Sequence, residues 1–206
     1  MKKDKITETF MHMPKLTTER LLLRKMLPTD AADMYEYASL SEVTRYLLWD
    51  PHPDIEYTKR YLTYLQGRYK AGEFYDFSVI CREENKMIGT CGFVRFDTAN
   101  ESAEVGYVFN PSYHGMGYAT EALRAVMDFG FSQLGLHRIE ARFMKDNHKS
   151  RRVMEKCGMQ FEGIHRHMLF IKGRYVYRHL RRRQSKTFLK TPSGVFFIFR
   201  AFASYV

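Results

Sequence analysis

The chain has 206 residues, 45% of them hydrophobic, enough for one domain with a sizeable core or one domain with an appendage. Its three cysteines, Cys81, Cys91 and Cys157, lack CxxC spacing, which argues against a disulfide framework or a zinc ribbon. The sequence has no apolar run of signal-peptide or membrane-span length, so the expected location is the cytoplasm. The formal charge of +10 lies wholly after Glu162, because residues 1–162 hold 23 acidic and 23 basic residues; a nucleic-acid reading would rest on the last 44 residues alone and is not favoured.

Residues 1–15 read as an N-terminal extension. Leu16–Met26 reads as a first strand, and Pro28-Thr-Asp30 opens a helix through about Ser39. A second helix follows Asp54, where Tyr57, Tyr61, Leu62, Tyr64 and Leu65 share a face. Between these helices lies an aromatic segment, Glu42–Trp49. Tyr75–Arg82 and Met87–Phe96 alternate as a hairpin around Glu83–Lys86. Ala103–Phe109 reads as a strand, and Ala119, Leu123, Val126, Met127 and Phe131 then recur at helical spacing. His137–Phe143 alternates again, Asp146-Asn147 opens a helix that Gly158 ends, and Gln160–Phe170 is extended. The order is β, α, α, β, β, β, α, β, α, β.

The loop between strand and helix, Asn110-Pro-Ser-Tyr-His-Gly-Met-Gly117, carries the chemistry. Gly115 and Gly117 permit backbone dihedrals that a side chain obstructs, and the first-turn amides of the following helix are unpaired donors. Together they form a cradle into which a diphosphate fits. Two glycines before a helix are also a common tight connection.

Tyr113-His-Gly-Met-Gly-Tyr-Ala-Thr-Glu-Ala122 and Asp146-Asn-His-Lys-Ser-Arg-Arg-Val-Met-Glu-Lys-Cys-Gly-Met-Gln-Phe-Glu-Gly163, in that order and spacing, resemble the GCN5-related N-acetyltransferase (GNAT) superfamily. Within it they resemble the RimJ/RimL type of ribosomal-protein N-terminal acetyltransferase, over about Leu16 to Tyr175. The resemblance implies an α+β fold with a mixed sheet of six to seven strands and about four helices. It also implies acetyl-CoA as cosubstrate, a primary amine as acceptor on a protein N-terminus or a small molecule, no metal, no membrane partner, and room for a homodimer.

Carried over residue by residue, the coenzyme signature falls on His114, Gly115, Met116, Gly117, Tyr118 and Ala119, with Thr120 beside it. His114 departs from the family's Gln or Arg at the first position. Backbone groups of Val108, Phe109 and Asn110 are implied to hold the oxyanion and pantetheine. Asn147 is implied to touch the pantetheine arm and Ser150 to act as acid near the sulfur, although Asn147 is equally a natural helix cap. Glu104 is the candidate base, with a solvent-facing strand carboxylate as the plain alternative. Arg45, Tyr46 and Trp49 lie in the segment that lines the acceptor groove in relatives, and Trp49 serves equally as a packing anchor.

Residues 16–175 are thus expected to be the acetyltransferase domain and 176–206 an aberrant basic and hydrophobic tail. One codon choice for Tyr177–Ser185, read one base later, gives Ile-Gly-Ile-Tyr-Ala-Val-Asp-Lys, which looks like the family's missing last strand. The expectation is a frameshift that leaves that strand absent or badly substituted and a sheet edge unpaired. Competing functions are an inactive acyl-CoA-binding protein and a ribosome- or RNA-interacting protein.

Overall fold

Period-2 burial along the middle of the chain builds a sheet, and the 3.6-residue periodicities supply the helices that cover it. The computed structural model describes residues 3–185. Its strands are β1 (Leu16–Thr17), β2 (Leu21–Arg24), β3 (Asp76–Cys81), β4 (Lys86–Asp97), β5 (Ser102–Phe109), β6 (Arg138–Met144), β7 (Gln160–Ile171) and β8 (Arg174–Gln184). They form one sheet in the order β1-β2-β3-β4-β5-β6-β8-β7. Every neighbouring pair is antiparallel except β5 and β6.

On one face, Ala103, Val105, Phe109, Ile139, Ala141 and Phe143 share a core with Leu123, Val126 and Met127 of α5 (Tyr118–Phe129) and Met154 of α6 (His148–Lys156). On the other, Ile80 and Met87 join a second core with Met34 and Tyr37 of α2 (Ala31–Ala38) and Leu62, Leu65 and Tyr69 of α4 (Ile55–Lys70). That second core covers β2 to β4. The rest of the same face, over β5, β6 and β8, carries Glu104, Glu140, Arg142 and Arg178.

The structure adds three features to these expectations. The sheet has eight strands and the described residues form six α-helices, because Thr18–Arg20 divides the first strand and two helices went unread, α1 (Lys3–Met11) and the single turn α3 (Ser41–Thr44). The N-terminal extension belongs to the fold, since Ile6 and Phe10 of α1 are buried in the first core, Phe10 among Tyr75, Phe77, Phe93 and Phe129. The last strand is present: β8 crosses the expected boundary at residue 176 and pairs with β6 on one side and β7 on the other. Its fit is poor, with two register shifts against β7. Residues 186–206, including Val195–Phe199, lie outside the described residues.

Candidate active site

The cradle forms at the end of β5. Asn110, buried, accepts a hydrogen bond at Oδ1 from the Ser112 amide (3.1 Å), and its own amide bonds Ile88 O (2.9 Å), which starts the 3-10 turn Pro111–Tyr113. Gly115 and Gly117 follow with φ of 84° and 86°, in the left-handed region where a side chain is strained. Gly117 is the N-cap of α5 and brings no capping side chain, so the helix's first amides are left to an incoming anion.

The loop is held from outside by residues that sequence reading missed. Glu121 Oε1 accepts from Thr18 Oγ1 (2.6 Å) and the Arg20 amide (3.0 Å), and Oε2 from Arg20 Nε (2.7 Å). Arg20 Nη1 donates to Met116 O (3.0 Å), and its guanidinium lies 4.4 Å from the centre of the Tyr118 ring. Burial opposes ionisation of Glu121, but the hydrogen bonds from Thr18 and Arg20 outweigh it and hold the carboxyl below its ordinary range. The signal in the sequence was the opening Leu16-Thr-Thr-Glu-Arg-Leu21, which holds both Thr18 and Arg20.

His114 is exposed, yet both its ring nitrogens have partners within the protein. Its Nε2 lies 3.1 Å from Phe109 O and its Nδ1 3.3 Å from Lys149 Nζ. An imidazole between a carbonyl and an ammonium is neutral, donating from Nε2 and accepting at Nδ1. Burial, together with the charge of Lys149, holds its pKa below the ordinary 6.5. His114 therefore ties the cradle to the strand end and to the first turn of α6.

Next to the cradle the sheet opens. The β5–β6 ladder runs from Ser102–Arg138 to Val105–Ala141 and stops there, although β5 continues to Phe109 and β6 to Met144. Backbone groups from Gly106 to Val108 thus border a gap between strands. Tyr107 reaches from the α5/α6 face of β5 to Ser150, its hydroxyl 2.8 Å from Ser150 Oγ and donating to Ser150 O (2.9 Å). Burial raises the Tyr107 pKa, so the phenol keeps its proton. Asn147 Oδ1 accepts from the Ser150 amide (3.1 Å), the helix-cap role. Asn147, Ser150, Tyr107, His114 and the end of β5 are brought together.

Glu104 lies on the opposite face of β5, one residue before the ladder ends. It is buried, and both oxygens face guanidinium groups: Arg95 Nε at 2.9 Å and Arg142 Nη1 at 3.5 Å from Oε2, and Arg178 Nη2 at 3.3 Å from Oε1. Glu140 continues the network to Arg142 at 2.8 Å and Arg138 at 3.2 Å. Across this face, Tyr46 donates to Asp146 O (3.3 Å) and packs beside Met144, Leu169, Ile171 and Val176. Arg45 is exposed, its guanidinium 5.3 Å from the Tyr46 ring centre. Trp49 packs on the second core, 5.3 Å from the His52 ring, as an anchor would.

A family model described as an acetyltransferase (GNAT) domain matches residues 20–160, from the Arg20 lock through the cradle and α6. The chain belongs to the GNAT superfamily. An uncharacterized N-acetyltransferase of Bacillus licheniformis is 37% identical over 164 residues, covering 80% of this chain and 92% of that protein. The crystal structure of a GNAT-family acetyltransferase from Bacillus anthracis superposes with a TM-score of 0.75 at 32% identity, covering 83% of this chain and 98% of that one. The ribosomal-protein-S5-alanine acetyltransferase of Vibrio fischeri gives a TM-score of 0.68 at 25% identity, covering 84% and 97%. Relatives of this GNAT chain thus include the RimJ/RimL type.

GNAT enzymes take acetyl groups from acetyl-CoA, and the residues present suit that molecule. A Cβ built at Gly115 meets nothing within 4 Å, so space stands open over the loop. Uncapped helix amides face that space, and the strand gap is bordered by main-chain donors and acceptors. Among the described residues no group of three or more His, Cys, Asp or Glu could hold a metal ion, and no helix is long and apolar enough to cross a membrane.

Proposed function

We propose that this GNAT enzyme moves acetyl from acetyl-CoA to a primary amine, a protein N-terminal amine or a small amine, by direct attack on the thioester. One observation supports the reading above all: the β5–β6 ladder ends at Val105–Ala141 beside a left-handed glycine loop that opens a helix. The bound coenzyme supplies an activated acyl carbon and a leaving thiolate. The protein's part is to hold, orient and move protons.

The Gly115–Thr120 amides bind the diphosphate, and the main chain of Val108–Asn110 directs the pantetheine arm and donates to developing negative charge on the carbonyl oxygen. One such donor contributes about 2.7–4 kcal/mol. Ser150 protonates the departing thiolate and recovers its proton from solvent, and Tyr107 fixes its hydroxyl. Asn147 sets the first turn of α6 so that Ser150 faces the gap. Arg45 and Tyr46 border the acceptor's approach. The ribosomal-protein acetyltransferase among its structural relatives makes a peptide N-terminus the first acceptor to try.

The tying of His114 to Phe109 O and Lys149 favours a second reading, a coenzyme-binding protein without turnover, because this first position of the coenzyme signature departs from the family's Gln or Arg and its side chain is engaged within the protein. Calorimetric titration with acetyl-CoA, followed on the same sample by thiol release over amines and N-terminal peptides, separates the two. Binding with acceptor-dependent thiol release is the expected result. Binding without release over the whole panel would establish the second reading.

A further inference from the structure

On the acceptor side of the sheet, three positions form a row across the strands. Asp76, the first residue of β3, pairs with Gly92 of β4, and Gly92 pairs with Gly106 of β5. Residues paired across an antiparallel ladder share a face, so the Asp76 side chain looks along two glycines to the first residue beyond the β5–β6 ladder. Two strand spacings separate its Cα from Gly106, about 9–10 Å. The side chain of Val94, in the β4 bulge, borders the far end of the row: its Cγ2 lies 3.0 Å from where a Cβ on Gly106 would stand.

The carboxylate leans into this gap. A Cβ at Gly92 would come within 2.4 Å of Tyr75 O, 2.5 Å of Asp76 Cα and 2.8 Å of Asp76 Oδ1, so only glycine permits the carboxylate to lie over β4. Asp76 is half-buried at the rim of the second core. Its Oδ1 is shielded yet makes no hydrogen bond among the described residues, and neither does the buried Tyr37 Oη. The Tyr69 hydroxyl donates to Asp76 O (2.6 Å) and fixes the main chain there. Glu104 and Glu140, the other carboxylates of this face near the gap, are paired with guanidinium groups.

Resting on the acetyl-transfer reading, we infer that Asp76 accepts the proton of the incoming amine, through one water lying over Gly92 beside the Val94 side chain. An acceptor arriving as an ammonium gives one proton through that water to the carboxylate. The neutral nitrogen then forms the N–C bond as the C–S bond breaks. The nitrogen sheds a second proton, the thiolate gains one, and Asp76 returns its own to solvent. The net products are the amide, the free thiol and one proton.

The surroundings suit this task. Burial pushes the Asp76 carboxyl up to about 7, with the Thr90 hydroxyl and the Phe77 amide limiting the rise. Tyr37 from α2 and Tyr61 and Tyr69 from α4 face it, and Cys91 of β4 lies beneath it on the opposite face of the sheet, all with pKa values raised by burial and therefore neutral when Asp76 titrates. Arg24, which also bonds Ser78, is bound to Asp30 at 2.7 Å. A proton acceptor poised near the working pH is the efficient one.

The experiment compares the wild type with Asp76→Asn, using an alkyl primary amine acceptor that stays an ammonium throughout the range of interest. The expected result is a fall in kcat of about 10²–10⁴-fold with KM for acetyl-CoA unchanged. The acidic limb of the wild-type rate profile, centred near pH 7, should vanish. Two readouts do not depend on turnover. Carboxyl-selective NMR of the ligand-free wild type should show one aspartate titrating near 7. A folded carboxyl raised from 3.8 stabilises fully below 3.8 and loses that contribution as pH rises through about 7, so Asp76→Asn should melt higher than the wild type on the alkaline side. An unchanged limb, or no aspartate titrating in that range, overturns the assignment even if Asp76→Asn fails to fold. No thiol release from the wild type with any acceptor would overturn the acetyl-transfer reading itself.

Discussion

Two carboxylates on one sheet face, Asp76 and Glu104, differ in what surrounds them, and that difference assigns their work. Glu104 has three guanidinium neighbours and almost no exposure, so its charge is spent within the sheet. Removing one partner from such a buried set leaves the others uncompensated and costs about 3–5 kcal/mol. Glu104→Gln is therefore expected to lower the denaturant midpoint strongly while leaving the acidic limb of the rate profile in place. Loss of that limb with stability retained would return the base role to Glu104. On the other face, Tyr107→Phe removes the hydroxyl that bonds Ser150 at 2.8 Å and leaves the cradle untouched. A lower kcat at unchanged acetyl-CoA affinity is the outcome expected from steady-state kinetics and calorimetry.

The element proposed to bind coenzyme is a strand end, a loop and a helix tied at both sides, by Arg20–Glu121 and by His114. The imidazole tie depends on neutrality. A folded pKa held below 6.5 means that the unfolded chain takes the proton first, so the stability associated with His114 is complete above about 6.5 and is lost as pH falls toward the lower folded value. Thermal melts should show this acid-side loss in the wild type and a smaller one in His114→Gln; equal losses would remove His114 as their source. The cradle, α5 and α6 were legible in the sequence because glycines, caps and helical spacing are local signals. The ties were not: Arg20 and Glu121 are 101 residues apart and Tyr107 and Ser150 are 43 apart, so only strand register and helix packing join them. Asp76 looked like an ordinary strand residue for the same reason, since its glycine row exists only across β3, β4 and β5. Phe10 and Ile6 were overlooked because one short amphipathic turn-pair before the first strand resembles a solvated extension.

At the scale of the whole molecule, one half of the sheet is well matched and the other is not. β8 pairs on both sides, but Arg181 is buried on the face that holds Ala141, its Nε lacks a hydrogen-bond partner among the described residues, and Arg178 is held below its ordinary pKa by burial despite Glu104. Beside it, Phe161, Ile164 and Phe170 of β7 stand exposed, and His167 takes a positive φ of 47° within the second register shift. The shifted reading of Tyr177–Gln184, Ile-Gly-Ile-Tyr-Ala-Val-Asp-Lys, places Ala at the buried Arg181 position and Ile where His179 packs 5.1 Å from Phe143. It thus replaces a desolvated guanidinium by a small apolar group at the point where the strand meets the core. A chain carrying that octapeptide over residues 177–184 is expected to melt higher, by about 2–4 °C for each kcal/mol regained. The gene provides an independent check, because the frameshift requires codons of the form TAT AGG CAT TTA CGC CGT AGA CAA AGC or synonyms that preserve the shifted peptide. Incompatible codons together with an unchanged or lower melting temperature would make the arginine strand a native feature of this enzyme, and its cost would then need a function on the acceptor side of the sheet.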